Sequence, residues 1–330
     1  MVTNLRKKKR LKELSDKKKI FRILALDHIS SLKKFLLRMS GVDDVEDNTI
    51  IEIKKIVVKV LANEFSGILL DLDSYIKCNN QIPKDIGTLI KLEKDWQGRG
   101  KGARERITTI FSDSAIEQIT RTGASGVKLM LYYRPDASKK IIEEQNKIAQ
   151  QIGEQCEENN IVYCLEPMWY PLLDDELDGS ENAEAVLAKR RPIFVLDSLR
   201  EFAKPQYCVD LFKLEFPADL RFTKEYADGR FDGKNRESVY DIVTIEKWCR
   251  EIDKLTNVPW TIMSSGVSNE QFLEFLRICR AGNVDGYICG QAIWKDALRG
   301  YPDFGTIEKN LMQESINNIH CINNEMDSHV

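Results

Sequence analysis

The chain has 330 residues, of which 42% are hydrophobic and 31% charged, with a formal net charge of -3 and a pI near 5.9. That balance suits an ordered globule, excludes a low-complexity or disordered polymer, and gives no overall basic character for nucleic-acid binding. No apolar run approaches the ~18 residues needed to cross a bilayer, and the eight cysteines are scattered without a Cys-x-x-Cys pair, so a membrane span, a zinc ribbon and a disulfide framework are all disfavoured.

The N-terminus is densely basic, from Arg6 through Lys12 and again at Lys17, Lys18 and Lys19. No hydrophobic segment follows it, so it does not read as a signal peptide. It reads as a solvated helix laid on one end of the fold, or else as an anion or nucleic-acid contact. Beyond it, apolar runs of strand length recur at 22–27, 67–72, 87–93, 126–133, 161–168, 209–217, 260–265 and 286–290. Their β-branched content and their bounding turn residues predict eight strands. Helical patterns fall between most of them, at 50–62, 112–121, 139–159, 181–189, 198–203, 238–256 and 268–281, with glycine stops at Gly123 and Gly282. Residues 94–102, glycine-rich and basic, predict a loop, and so do the acidic residues 172–181. Cys164 and Cys289 lie inside strand-like runs and read as buried free thiols of a reducing cytoplasm.

Eight alternations of strand and helix predict a parallel sheet closed into a single (β/α)8 TIM barrel of the α/β class. The expected division is a basic N-terminal helix over 1–20, the barrel over 21–300 and a helical tail over 301–330. An open doubly wound sheet is disfavoured, because the first strand ends Leu26-Asp27-His28-Ile29-Ser30 without a glycine fingerprint.

Inward positions of a barrel strand are normally apolar and branched, so a charge at the C-terminal end of one needs a reason. Four strands carry such a charge. In Val209–Pro217, Lys213 and Glu215 share a face by the period of two, while Phe212, Leu214 and Phe216 take the other. A lysine so poorly solvated favours its neutral, nucleophilic form. It can equally be a structural lysine paired with Glu215. Lys128 stands in the apolar run Gly126–Tyr133, either as a second inward cation that could bind a carboxylate or phosphate or as a lysine whose head reaches solvent. Glu166 ends the fifth strand and Asp27 the first, each a proton-transfer group or a counter-ion. Charges of mixed sign at matching strand ends read together as one site. The seventh and eighth strands end instead in Ser264-Ser265-Gly266 and Cys289-Gly290, small residues that expose backbone N–H groups where barrels often bind phosphate.

These residues carry a resemblance. With Ala25-Leu26-Asp27, Ile68–Asp71, Glu93-Lys94, Val127-Lys128, Leu131-Tyr132-Tyr133, Leu165-Glu166, Val209-Asp210, Lys213-x-Glu215-x-Pro217, Ser265-Gly266-Val267 and Cys289-Gly290 with Ala292 and Trp294, all in order and spacing, the chain resembles the class I tagatose 1,6-bisphosphate aldolases of the LacD type from the basic helix to Trp294. The resemblance implies a Schiff base on Lys213, proton transfer by Glu166, and Asp27 and Lys128 beside the substrate hydroxyls. It implies sugar-phosphate binding at Ser265, Gly266 and Gly290. It implies no metal and no cofactor; the sequence has only three histidines and no His/Cys cluster. The partners it implies are a phosphorylated ketose and triose phosphates, in cytoplasmic lactose and galactose breakdown, with a homo-oligomer as the usual state.

The pattern is broken at three places. Gln291 stands where the family usually has a phosphate-contacting arginine. His28 replaces a glutamine and is followed by Ile29-Ser30 rather than Arg-Gly, and Pro167-Met168-Trp169-Tyr170 is bulkier than usual. Sister aldolases acting on fructose 1,6-bisphosphate or 6-deoxy-6-sulfofructose 1-phosphate stay open. A catalytically silent sugar-phosphate sensor also remains, with Gln291 as its support.

Overall fold

The computed structural model describes residues 5–42, 44–99, 104–112, 115–177 and 179–328. Ten strands follow in chain order: β1 (Phe21–Ala25), β2 (Gly67–Leu70), β3 (Gly87–Lys91), β4 (Glu93–Arg99), β5 (Glu105–Ile110), β6 (Gly126–Tyr132), β7 (Val162–Met168), β8 (Leu211–Leu214), β9 (Trp260–Met263) and β10 (Gly286–Cys289). Eight of them close into a barrel in the order β1-β2-β3-β6-β7-β8-β9-β10 and back to β1. Every pairing in it is parallel. The eight strand segments foreseen in the sequence are these eight.

Alternation along each strand builds two separate cores. Phe21, Ile23, Ala25, Leu69, Leu89, Val162, Cys164, Leu211 and Ile288 fill the barrel, together with Leu14 from the segment before β1. The other face of each strand, including Phe212, Leu214 and Phe216, packs against the helices in the larger outer core. Two residues beyond the interior layer, the same alternation delivers the charged positions at the C-terminal strand ends.

The helices are α1 (Leu5–Glu13), α2 (Ser30–Ser40), α3 (Asp47–Leu61), α4 (Leu72–Cys78), α5 (Ala115–Arg121), α6 (Lys139–Glu158), α7 (Asp174–Leu177), α8 (Glu181–Phe202), α9 (Ile242–Leu255), α10 (Asn269–Cys279), α11 (Gln291–Trp294), α12 (Phe304–Asn310) and α13 (Ile316–Asp327). Four of these, α2, α4, α7 and α11, have no counterpart among the helices read from sequence. At the N-terminal end of the barrel, Lys7 of α1 is ion-paired with Glu157 and, at 2.9 Å, with Asp210. Arg22 of β1 holds Asp16, Asn323 and Asp327, tying α13 to the same end.

Three local expectations are corrected. The loop expected over 94–102 is instead half of a hairpin, with β4 antiparallel to β5; Gly100, Lys101 and Gly102 lie outside the described residues. Its glycines and charges hid a strand whose anchor is aromatic. The Arg106 guanidinium lies 4.3 Å from the Trp96 ring centroid and 5.0 Å from those of Tyr132 and Tyr170, a stack of cation–π contacts that pins the hairpin to the barrel. The separate helices expected at 181–189 and 198–203 are one, α8, which runs through Pro192. Proline disfavours a helix interior, but Phe194, Val195, Leu196, Leu199 and Phe202 are buried beyond it, and that packing carries the helix on. The acidic loop expected over 172–181 contains α7, whose Glu176 is buried and bound by both nitrogens of the Arg134 fork at 2.8 and 3.1 Å.

Candidate active site

Four barrel strands, β1, β6, β7 and β8, and the hairpin strand β4 bring charged side chains to one buried cluster at the C-terminal end. Lys128 of β6 is 1% exposed. Its ammonium lies 2.9 Å from Asp27 after β1, 2.7 Å from Glu93 at the start of β4 and 2.7 Å from Glu166 of β7. Burial opposes its charge, but the carboxylates of Asp27, Glu166 and Glu93 more than offset this and hold its pKa well above the ordinary lysine value. Of the two readings of Lys128, the one in which its head reaches solvent is therefore not what the fold adopts. It is a fixed internal cation, with its charge balanced locally.

Glu166 connects this cage to the second lysine. One carboxylate oxygen faces Lys128; the other, Oε1, lies 2.9 Å from Lys213 Nζ. Lys213 of β8 is buried, and its ion pair is with Glu166. The alternative of a structural pair with Glu215 is not what the fold adopts. Glu215 accepts the Trp169 backbone N–H at 3.2 Å, and burial, only partly countered by Arg191 and that N–H, pushes its pKa up to about 7. Glu166 and Asp27 move the other way. Burial raises each, but Lys128 and Lys213 outweigh it, and both carboxyls sit below the usual range. Among the described residues Asp27 Oδ1 is buried without a hydrogen-bond partner, an acceptor available to a ligand hydroxyl.

His28 follows Asp27, its Nδ1 3.7 Å from Asp27 Oδ1 and also without a hydrogen-bond partner among the described residues. Its ring packs edge-on against Trp294 with centroids 5.7 Å apart. Burial drives its pKa down to about 4 against the pull of Asp27, with Lys213 and Lys128 adding to the fall; it is a neutral imidazole at pH 7. The cluster therefore joins Asp27, Lys128, Glu166 and Lys213, with His28 at its edge.

The expected phosphate residues lie on the neighbouring strand ends. Ser265 and Gly266 have φ of 48° and 79°, and Val267 N–H donates to Ser264 O at 3.0 Å. This is a turn with two left-handed central residues. Glycine adopts that conformation freely; serine does so under strain, a frequent mark of a working site. The turn's own hydrogen bond uses neither the Ser265 nor the Gly266 amide. Gly290 has a second reason to be glycine, since a Cβ there would stand 2.4 Å from Ala25 O. Gln291 opens α11 and sends its Oε1 across to Gly266, 3.8 Å from where a Cβ would be.

Two residues of this region escape the sequence reading. Glu93 is the third carboxylate on Lys128, and its other oxygen accepts Met130 N–H at 2.9 Å. The signal is present: Leu89 faces the barrel interior, so Lys91 and Glu93 follow on the same face. Arg191 of α8 lines a cavity with Ser265 and Gly266, hidden at the false helix break before Pro192. Among the described residues, no group of three or more His, Cys, Asp or Glu side chains is arranged to hold a metal ion, and no helix is long and apolar enough to cross a membrane.

A buried lysine joined through one carboxylate to a second lysine, at the C-terminal mouth of a (β/α)8 barrel, is equipment for carbonyl chemistry, and the protein is an aldolase, a carbon–carbon lyase. The family model of the DeoC/LacD aldolases matches residues 21–296, and the chain belongs to that family. It is 29% identical over 293 residues to a tagatose 1,6-diphosphate aldolase of Listeria monocytogenes serotype 4a (strain HCC23), covering 88% of this chain and 82% of that one. It is 27% identical over 305 residues to the protein of the same name from Lactococcus lactis subsp. lactis, covering 91% and 88%. Among solved structures, the fructose-bisphosphate aldolase of Plasmodium falciparum in complex with TRAP and a small molecule inhibitor superposes with a TM-score of 0.68 over 98% of this chain and 94% of that one. At 14% sequence identity, that likeness is one of fold.

Proposed function

We propose that the protein is a class I aldolase that cleaves tagatose 1,6-bisphosphate to dihydroxyacetone phosphate and glyceraldehyde 3-phosphate through a Schiff base on Lys213. The observation that carries the reading is the Lys213–Glu166–Lys128 chain of contacts, with 2.9 Å between Lys213 Nζ and Glu166 Oε1. The names of the relatives support the substrate.

Lys213 must shed a proton before its nitrogen can attack the ketose C2 carbonyl, and Glu166 Oε1 is placed to take it. Glu166 then returns a proton to the carbinolamine oxygen, which leaves as water and gives the iminium. Withdrawal of electrons into the iminium lets the C3–C4 bond break as Glu166, again a carboxylate, takes the C4 hydroxyl proton that it later returns to C3 of the enamine. The products are the aldehyde and an enamine on Lys213. Protonation of the enamine at C3 and hydrolysis release dihydroxyacetone phosphate. Asp27, with its open Oδ1, holds a substrate hydroxyl. Lys128 keeps Asp27 and Glu166 ionised and in register. Ser265, Gly266 and Gly290, with Gln291 and His28 at the rim, receive phosphate and hydroxyl groups. The carbon acid and the electron sink are both organic, so the cycle asks for no metal or cofactor. Such a reaction serves cytoplasmic breakdown of galactose-derived ketoses.

The test is borohydride trapping with dihydroxyacetone phosphate. A covalent adduct on Lys213, absent from Lys213→Ala and formed equally with EDTA, is expected. An adduct that survives Lys213→Ala, or activity that needs a divalent metal, sinks the assignment. Cleavage rates on tagatose 1,6-bisphosphate, fructose 1,6-bisphosphate and 6-deoxy-6-sulfofructose 1-phosphate rank the substrates, with the first expected fastest.

A further inference from the structure

The turn that ends β9 opens on a cavity of about 300 Å³ whose lining includes Arg191, Asp219, Arg221, Asp232, Ser265 and Gly266. Its two arginines differ in what holds them. Arg221 is engaged on all sides: Nε and Nη2 bond the two oxygens of Asp219 at 3.0 and 2.7 Å, and Glu184 and Asp232 lie at 3.4 and 3.8 Å. Arg191 has no ion pair within 4.0 Å among the described residues, although its charge pulls down the pKa of the Glu215 and Asp219 carboxyls nearby. Its Nη1 donates to Ala218 O at a long 3.3 Å, and its guanidinium lies 5.1 Å from the Trp169 ring centroid. A guanidinium keeps its charge at any working pH and presents a planar fork of donors. Stacking on an aromatic face fixes the plane of that fork and leaves its edge free to bond an anion.

The same cavity is lined by the strained Ser265-Gly266 turn, whose own hydrogen bond uses neither of those two amides, and successive backbone N–H groups in such a turn can bind an anion. The side chain that reaches the turn from α11, Gln291, is neutral. Gln291 therefore gives a doubly charged phosphoryl group in this cradle no positive charge from the start of α11. Arg191 is the side chain that can supply one from the α8 side.

We propose that Arg191 is the cationic anchor for the phosphate next to the ketose carbonyl, and so a specificity-determining residue for phosphorylated over unphosphorylated substrates. This assignment rests on the proposed aldolase reading for the identity of the ligand, but not for the existence of the anion site. The position explains why Gln291 is compatible with a phosphate cradle: the charge enters from a different helix. It also gives the unbroken course of α8 through Pro192 a purpose, since a helix ending at Lys189 would not carry Arg191 into the cavity.

The test uses Arg191→Met, which keeps an apolar stem on Trp169 and removes the charge, and Arg191→Lys, which restores a charge without the fork. Thermal melts report whether each variant folds. Half-saturation of borohydride trapping by dihydroxyacetone phosphate is expected to rise 10- to 100-fold in Arg191→Met and less in Arg191→Lys. Trapping by unphosphorylated dihydroxyacetone should be unchanged in both. Adding Gln291→Arg to Arg191→Met should recover much of the loss, because residue 291 reaches the same turn. Unchanged half-saturation for dihydroxyacetone phosphate, or an equal loss with both ketones, overturns the assignment. Calorimetry with inorganic phosphate needs no Schiff base. If wild-type protein forms no adduct yet binds phosphate at least tenfold more tightly than Arg191→Met, the aldolase reading fails and the Arg191 site stands. Equal phosphate binding by the two overturns the site.

Discussion

The two ends of this barrel both bury charge, and they use it differently. At the N-terminal end, Lys7 and Arg22 meet carboxylates and amide groups from α6, the segment before β8, and α13, so each long-range pair staples a terminus to the barrel. Glu157 and Asp327 in these pairs remain substantially open to solvent. At the C-terminal end, Asp27, Glu93, Lys128, Glu166 and Lys213 are all buried and linked in one chain of contacts. Yet Asp27 Oδ1 and His28 Nδ1 are left without hydrogen-bond partners among the described residues. A staple satisfies its own groups. A site keeps some groups unsatisfied for a ligand, and the cost of holding them is borne by packing elsewhere.

The sharpest way to break the comparison is to remove the central cation of the catalytic end. Lys128→Met leaves three buried carboxylates facing one another, and a broken buried ion network costs about 3–5 kcal/mol. Denaturant unfolding at pH 7 measures it. In the wild type, Asp27 and Glu166 are held below their ordinary values of 3.8 and 4.5. Their contribution is therefore complete above about pH 4.5 and is lost as the pH falls through the depressed values. Without Lys128 those carboxyls titrate higher, so the deficit of the variant should be largest at neutral pH and shrink towards pH 4. A deficit below about 1 kcal/mol at pH 7 would mean that the cage is no more than a surface-type pair.

How far this could be read from sequence alone depended on the neighbours of each residue. Asp27, Lys128, Glu166 and Lys213 stand out because each interrupts an apolar run of strand length, and alternation then places each on the interior face beyond residues such as Ala25, Cys164 and Leu211. The barrel is legible for the same reason, from the recurrence of those runs. Glu93 obeys the same rule, but Lys91 and Lys94 flank it, and a cluster of charges resembles a solvated surface. Arg191 is masked by Pro192, since local propensity argues for a helix end and only tertiary packing of Phe194 through Phe202 overrides it. The β4–β5 hairpin is masked by its glycines, because its stability comes from Tyr132 at the end of β6 and Tyr170 just after β7 gripping Arg106. Signals carried by residue identity are visible in a sequence; signals carried by a partner far along the chain are not.

A smaller effect sharpens what burial costs at the catalytic end. Glu215 has a pKa near 7 in the fold against an ordinary 4.5, with burial as the cause. Between those two values the folded protein binds the proton that the unfolded chain has released. Stability therefore falls as pH rises from about 4.5 to 7 and is level above; the whole gap is worth roughly 3 kcal/mol. Glu215→Gln removes the titration, and its amide oxygen can still accept the Trp169 N–H. The variant should match the wild type near pH 5 and exceed it in stability at pH 8, by up to roughly 3 kcal/mol. Equal stability curves at both pH values would show that Glu215 is solvated or paired rather than penalised by its surroundings.

The smallest effect belongs to the staple. Lys7→Met at the N-terminal end removes a cation whose partner Glu157, with a side chain 44% exposed, can turn to water, while Asp210 keeps the Tyr163 N–H at 2.7 Å. Carboxylates that regain hydration leave no stranded charge, so the loss should be about 1 kcal/mol and should diminish in high salt, which screens exposed pairs but not buried ones. The apolar Met side chain keeps some packing over the barrel floor, where Leu14 closes the interior. Cleavage rate should be unaffected, since Lys7 sits at the opposite end from Lys213. Unfolding curves of Lys7→Met and Lys128→Met at low and high salt, with cleavage rates for both, set the two ends side by side. A salt-independent loss for Lys7→Met as large as that for Lys128→Met, or a fall in its cleavage rate, would show that the N-terminal charges belong to the same cooperative network as the site.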